Sequence, residues 1–278
     1  MEDRNEEERI EEGRSAEARH QLDNPSAPAQ PVALISGGSR GIGLATARLL
    51  GQRGYRLVIT ARQTDSLSEA AASLRLQNPD VEAVAADLGE QTEIEALLAC
   101  VEERCGRLDV LVNNAGGSHH GLPLEELSTD DWDRTLRQNL TIAARMSAAA
   151  LPLLKRSTAG SIVNVASLAG RQHSLVASCD YAAAKAGLIG LTRQLALELA
   201  PARIRVNAVA PGLTATARVA ARWQALPEEE RRRHLHRIPL ARPGKAEEIA
   251  AAIAFLASDE ASYITGACLD VNGGAFMG

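Results

Sequence analysis

Tyr181-Ala182-Ala183-Ala184-Lys185 sets a phenol and an ammonium four residues apart. On a helix that spacing puts both groups on one face, where they act on the same small volume. A free tyrosine titrates at about 10 and is a poor proton shuttle at neutral pH, but an adjacent cation favours the phenolate. Proton exchange with a nascent alkoxide is the chemistry such a pair could serve. The spacing alone is common by chance, so its company matters. Ser167 follows the apolar run Ser161 to Ala166. Asn139 stands in Arg137-Gln138-Asn139-Leu140.

A second group of residues could hold an anion. Gly37-Gly38-Ser39-Arg40-Gly41-Ile42-Gly43 follows the apolar run Val32 to Ser36 and leads into the Ala-rich stretch Leu44 to Leu50. Glycines let a backbone approach a pyrophosphate closely, and a helix start adds unpaired N–H groups and a positive dipole end. After the second apolar run, an acid would normally grip the ribose hydroxyls of a dinucleotide. The chain reads Ile59-Thr60-Ala61-Arg62 there. With Arg40 in the turn and Arg62 beside the missing acid, two guanidinium groups can flank a 2′-phosphate, which favours NADP(H) over NAD(H). The alternative is that either arginine decorates a surface.

The elements that must position these residues show in the hydrophobic pattern. Apolar runs at Val32 to Ser36, Arg56 to Thr60, Val81 to Ala86, Asp109 to Asn113, Ser161 to Ala166, Ile204 to Val209 and Cys268 to Val271 alternate with helical patterns. Repeated strand, helix, strand units predict right-handed crossovers and a parallel sheet covered on both faces. The expected fold is α/β: a single doubly wound domain with a seven-stranded parallel sheet over residues 31–278. The segment Ala217 to Arg237, with its Pro227-Glu228 start, suits a helical lid over a substrate. His119, His120, Arg171, His173, Arg222 and Trp223 are candidates for the mouth, with ordinary surface chemistry the alternative for each.

Composition fits this reading. The chain has 278 residues, 45% of them hydrophobic and only 3% aromatic, so its core must be built from Ala, Leu, Ile and Val. The net charge of −5 comes from the first thirty residues, where nine acids face four arginines. That segment carries almost no apolar side chains and reads as a disordered charged extension over residues 1–30. No broad basic surface remains for nucleic acid, and no apolar run approaches the roughly 20 residues that span a bilayer. Four scattered cysteines with no C-x-x-C pair, and no signal-like N-terminus, point to a reducing cytoplasm. His119-His120 and His234-x-His236 lack nearby carboxylate or thiolate support, so no metal site is expected.

The glycine spacing Gly37, Gly41, Gly43 with Tyr181-x-x-x-Lys185 resembles the short-chain dehydrogenase/reductase family, and the likeness runs from Val32 to Gly274. It implies a Rossmann domain and hydride exchange between nicotinamide and a carbonyl or secondary alcohol. Asn139, Ser167, Tyr181 and Lys185 match the family's catalytic four: Ser167 would hold the substrate oxygen and Tyr181 would exchange its proton. Lys185 would hold the nicotinamide ribose, and Asn139 would steady a water in a relay with it. For the cofactor the resemblance implies Gly37, Ser39, Arg40, Gly41, Ile42 and Gly43, then Arg62, Asp87, Leu88, Asn114, Ala115 and Gly116. Pro211, Gly212, Thr214 and Thr216 would join Tyr181 and Lys185 around the nicotinamide.

Three positions depart from the family pattern: Ser36 stands where Thr is usual, Asn272 where Asp is usual, and the gap from Ser167 to Tyr181 is long. The segments Ile238-Pro239-Leu240, Arg242, Gly244, Glu247 to Leu256 and Tyr263-Ile264-Thr265-Gly266 resemble the 3-oxoacyl-acyl-carrier-protein reductase branch. Polyol, sugar and xenobiotic carbonyl reductases share similar segments and stay open, as does a non-catalytic dinucleotide sensor or scaffold. The family also implies a homotetramer.

Overall fold

The structure is a computed structural model that describes residues 30–118, 121–174 and 176–278. The extension expected at residues 1–30 therefore lies, through residue 29, outside the described residues. So do His119 and His120.

Strand β1 (Val32–Ser36) is buried at all five positions. That is why it reads as a continuous apolar run and not as an alternating one. Its side chains still divide by parity: Ala33 and Ile35 join one core cluster, Val32 and Leu34 the other. Strands β2 (Arg56–Ala61), β3 (Val81–Ala85), β4 (Val110–Asn113), β5 (Ser161–Val165), β6 (Arg205–Pro211) and β9 (Cys268–Val271) complete a seven-stranded sheet in the order β3-β2-β1-β4-β5-β6-β9. Every pairing is parallel. A further two-residue ladder pairs β7 (Thr214–Ala215) with β8 (Gly244–Lys245), and it was not legible in the sequence.

Helices cover both faces, as the expected doubly wound fold requires. On one face α1 (Gly41–Gln52), α2 (Thr64–Arg75) and α9 (Ala246–Ala257) pack Leu50, Leu74 and Ile253 against Ile35, Ile59 and Val112. On the other, α3 (Gln91–Cys105), α5 (Ile142–Leu154) and α6 (Cys179–Leu199) pack Leu97, Met146 and Leu199 against Leu34, Leu111 and Ile162. Each of these large side chains gains about 1.5–3 kcal/mol by leaving water. Helix α4 (Thr129–Leu136) runs into α5 through a π-helical stretch, Arg137–Thr141. The expected lid is two helices, α7 (Ala217–Ala225) and α8 (Glu228–His236), joined at Pro227.

Chain order along the sheet reverses between β1 and β4, because β2 and β3 lie to one side of β1 and all later strands to the other. The strand ends open a crevice there, which is where doubly wound sheets bind ligands. Asn114 and Ser36 close its floor. Ser36 Oγ accepts from the Asn114 and Ala115 N–H groups at 2.9 and 3.0 Å, and Asn114 Nδ2 donates to the carbonyls of Ser36 and Gly37. A serine in place of the usual threonine keeps all of these bonds.

Glu248 anchors the start of α9. Its carboxylate takes two hydrogen bonds from Arg242, at 2.6 and 2.8 Å, and one from the Lys245 N–H at 2.7 Å. Hydrogen bonding to Arg242, then to Lys245, holds its carboxyl down to about 2. Because the folded value lies below the ordinary glutamate value, this group's contribution to stability is complete above that value. It is lost as pH falls through it toward about 2. An NMR titration of the Glu248 side chain should show the depressed midpoint, and Arg242→Gln should move it up toward an ordinary glutamate; an unmoved midpoint would refute the assignment.

Candidate active site

The crevice is a cleft of about 1750 Å³ lined from the Gly-rich turn at one end to α7 and α8 at the other. The turn's conformation explains its composition. Gly37 and Gly41 have φ of +65° and +56°, the left-handed region that glycine enters without strain. A Cβ on Gly43 would lie 2.2 Å from the Gly37 carbonyl oxygen, so only glycine lets α1 start this close beneath the turn. Among the described residues, no side chain caps the N-terminus of α1 and no acid stands in its first turn. Its leading N–H groups are thus left to an anion, and the turn fits the pyrophosphate of a dinucleotide.

The sequence-predicted residues fall around this cleft as follows. Gly37, Ser39, Arg40, Gly41 and Ile42 line its floor, with Arg62 at the end of β2. Gln63 and Ser66, which sequence reasoning missed, line it beside Arg62. Asp87 and Leu88 follow β3, and Asn114, Ala115 and Gly116 follow β4. Pro211, Gly212, Thr214 and Thr216 form the wall after β6. Thr216 also caps α7, accepting from the Val219 N–H at 3.4 Å.

Two predicted residues do not line the cleft. Gly43 packs beneath the turn against Gly37 and Asn114. Asn139 is buried on the π-helical stretch, where its Oδ1 accepts from the Gly117 N–H at 2.8 Å. Its Nδ2 donates to the carbonyls of Thr135 and Gly117 at 3.0 and 3.2 Å. The extra residue of a π-turn rotates a side chain out of the regular helical ladder, a device frequent at functional sites. No signal in a single sequence marks it.

Ser167, Tyr181 and Lys185 meet in the middle of the cleft. Lys185 is buried, at 4% exposure, and its Nζ donates to the Val165 carbonyl, the last of β5, at 2.8 Å. The same Nζ stands 5.7 Å from the centroid of the Tyr181 ring. The four-residue spacing therefore does place phenol and ammonium together. The buried ammonium's field at the half-buried phenol is screened less than it would be between two groups in bulk water. Tyr181 sits in the first turn of α6, where its N–H is taken by the Asp180 carboxylate at 2.7 Å.

Ser167 begins a single 3-10 turn, Leu168–Gly170, and its hydroxyl accepts from the Ala169 N–H at 3.1 Å. That turn lies hard against α6: a Cβ on Gly170 would be 2.6 Å from the Lys185 carbonyl carbon and 2.7 Å from the Ala186 nitrogen. A glycine at 170 is thus what allows the Ser167 strand end and the Tyr181 helix to approach. Of the mouth candidates, His173 and Trp223 line the cleft and Arg171 does not. The Arg222 side chain lies outside the described residues. His234, Arg237 and Arg137 also line the cleft, though sequence reasoning did not place them there.

This architecture defines a nicotinamide-dependent oxidoreductase, and comparison with known proteins agrees. A family model described as Enoyl-(Acyl carrier protein) reductase matches residues 37–275. The chain belongs to the short-chain dehydrogenase/reductase family and acts on carbonyl or alcohol groups. It is 41% identical over 246 residues to the 3-oxoacyl-[acyl-carrier-protein] reductase FabG of Vibrio harveyi, covering 88% of this chain and 97% of that one. Levodione reductase superposes with a TM-score of 0.83 at 34% identity, over 88% of this chain and 96% of the other. YwfH, an NADPH dependent reductase involved in bacilysin biosynthesis, superposes with a TM-score of 0.84 at 30% identity, over 90% and 99%.

Gly170→Ala should force the Ser167 turn away from α6. Displacements near 1 Å in such sites reduce turnover on the order of a hundredfold. Steady-state kinetics on the purified variant, with circular dichroism to show that it folds, would check this; near-normal turnover in a folded variant would refute it.

Proposed function

We infer that the protein is an NADPH-dependent reductase of 3-oxoacyl thioesters, with Tyr181 as the proton donor. The observation that carries this reading is the buried Lys185 ammonium, fixed on Val165 and 5.7 Å from the Tyr181 ring, in a cleft shared with Ser167. The substrate class is supported by the identity to the Vibrio harveyi enzyme over nearly its whole length.

When bound, the cofactor supplies the hydride for the carbonyl carbon. The N–H groups of the Gly-rich turn and of α1 would hold it, with Lys185 at the ribose. Ser167 donates a hydrogen bond to the carbonyl oxygen and fixes its position. Tyr181 delivers its hydroxyl proton to that oxygen as negative charge develops there. Lys185 favours the resulting phenolate. The Asn139 amide is spent on Gly117 and Thr135, so the water relay with Lys185 that returns a proton from solvent would run through its main chain. Run in reverse, the same groups oxidise an alcohol.

Arg40 and Arg62 line one end of the cleft, where the acid that would repel a 2′-phosphate is missing. This supports NADPH over NADH. Residues 31–278 form the catalytic domain, with 1–30 a charged extension, in a cytoplasmic homotetramer. The exposed apolar side chains Leu197, Tyr263 and Leu269 support further copies of the chain as partners.

Tyr181→Phe should leave NADPH binding intact and reduce turnover of a 3-oxoacyl thioester by a factor of about 10² or more. Loss of reduced-nicotinamide absorbance measures it, and unchanged turnover would sink the mechanism. Catalytic efficiency should be higher with NADPH than with NADH, and Arg40→Ala with Arg62→Ala should narrow that ratio through the KM for NADPH. Equal efficiencies in the unmodified protein would refute the arginine argument.

A further inference from the structure

Arg171 follows the Ser167 turn directly and is mostly buried, with its side chain 17% exposed. Its guanidinium meets Asp270 on β9 with both edges of the fork, Nε to Oδ1 at 3.2 Å and Nη2 to Oδ2 at 3.0 Å. The same group lies 4.8 Å above the Phe276 ring centroid and donates to the Gly278 carbonyl at 3.2 Å. Next to it, Gln172 Nε2 donates to the Ala275 carbonyl at 3.2 Å. Two consecutive side chains of the loop behind Ser167 thus bind the segment 275–278.

That segment is tied at its other end to the base of the lid. Gly273, at φ +66°, turns the chain under Ile238, and its carbonyl accepts from the Leu240 N–H at 3.1 Å. Asn272 Oδ1 secures the turn by accepting from the Gly274 and Phe276 N–H groups. Gln172, Ala275 and Ile238 all line the cleft. Residues 272–278 therefore bridge the substrate-side loop and the foot of α8, and Arg171 is the clasp.

We propose that Arg171 is a positioning residue that fixes the 272–278 segment as a rigid wall of the substrate end and so decides which way round an unsymmetrical carbonyl compound enters. The inference rests on the reading that Ser167 and Tyr181 hold the carbonyl oxygen. With that oxygen fixed, exchanging the two carbonyl substituents presents the opposite face. A wall on one side therefore converts size into handedness of the alcohol. A bidentate guanidinium pair stacked on an aromatic ring suits this task, since the planar fork sets orientation as well as distance, which an ammonium cannot do.

The test compares the unmodified protein with Arg171→Ala, Arg171→Lys and Phe276→Ala. A 3-oxoacyl thioester and an unsymmetrical ketone serve as substrates. KM, kcat, the enantiomeric ratio of the alcohol and the Kd for NADPH are measured. For Arg171→Ala the expected result is a KM raised about tenfold, the effect of losing a strong paired hydrogen bond. A fall in enantiomeric ratio should accompany it, with NADPH binding held within about twofold. Arg171→Lys keeps the charge without the fork and should fall between the two.

A folded Arg171→Ala with unchanged KM and enantiomeric ratio overturns the proposal. So does a parallel loss of NADPH binding and kcat without a change in handedness, the mark of general structural damage. If Arg171→Ala does not fold, Phe276→Ala, which leaves the ion pair in place, carries the same expectation at smaller size and the same refutation. Tyr181→Phe in the same series separates the two levels. Retained turnover in that variant removes the underlying reading, whereas its loss beside unaltered Arg171 variants removes only the wall.

Discussion

The site depends on a charge kept out of water. Lys185 is nearly inaccessible, and a buried ammonium is tolerated only where polar atoms replace its hydration. One of those atoms is the Val165 carbonyl at the C-terminal end of β5. The place of β5 in the sheet therefore governs where the ammonium sits. β5 is held between β4 and β6 by parallel pairing along its whole length. Helix α6 has only to cross β5 at the correct height for Tyr181 to arrive beside that charge, and the close approach at Gly170 fixes that height.

Beneath this point the sheet carries a run of polar contacts through otherwise apolar layers. Ser147 Oγ accepts from Asn113 Nδ2 at 3.0 Å, Asn113 Nδ2 also donates to Asn164 Oδ1 at 2.8 Å, and Asn164 Nδ2 donates to Thr192 Oγ1 at 2.9 Å. The chain joins α5, β4, β5 and α6 in one line. Apolar contacts tolerate sliding, whereas this polar row penalises any shift that would break its buried hydrogen bonds, although Asn113 Oδ1 has no partner in it. Register between strand ends and helices matters here, because the four site residues arrive on three elements: Asn139 on the π-helical stretch, Ser167 just past the end of β5, and Tyr181 with Lys185 on α6.

The fold was legible because its signals are periodic and local. The seven apolar runs became seven strands with ends displaced by at most two residues, since the central strands are buried on both faces and are therefore largely apolar. The Gly-rich turn and the Tyr181 to Lys185 spacing were equally readable: one reflects backbone geometry that only glycine satisfies, the other helical periodicity. What escaped depends on tertiary context. The π-turn that buries Asn139 arises where α4 meets α5, and no residue type requires it. The β7–β8 ladder joins segments far apart in sequence by two residues each, too short to carry a pattern. Arg171 read as a mouth residue because it lies in the substrate loop, yet its partners Asp270 and Phe276 come from the far end of the chain.

A division of labour follows between the two ends of the cleft. The cofactor end is made largely of backbone: glycines with positive φ, uncapped N–H groups of α1 and carbonyls gripped by Asn114. Backbone geometry tolerates few substitutions, so this end is written in residue types that a reader can recognise. The substrate end is made of side chains from α7, α8, the Ser167 loop and residues 272–278, which can change without disturbing the sheet. The same freedom that lets such a fold acquire new substrates hides them from the sequence. The contacts that brace the Ser167 loop, residues 272–278 and the foot of α8 against one another are visible only when the chain is folded.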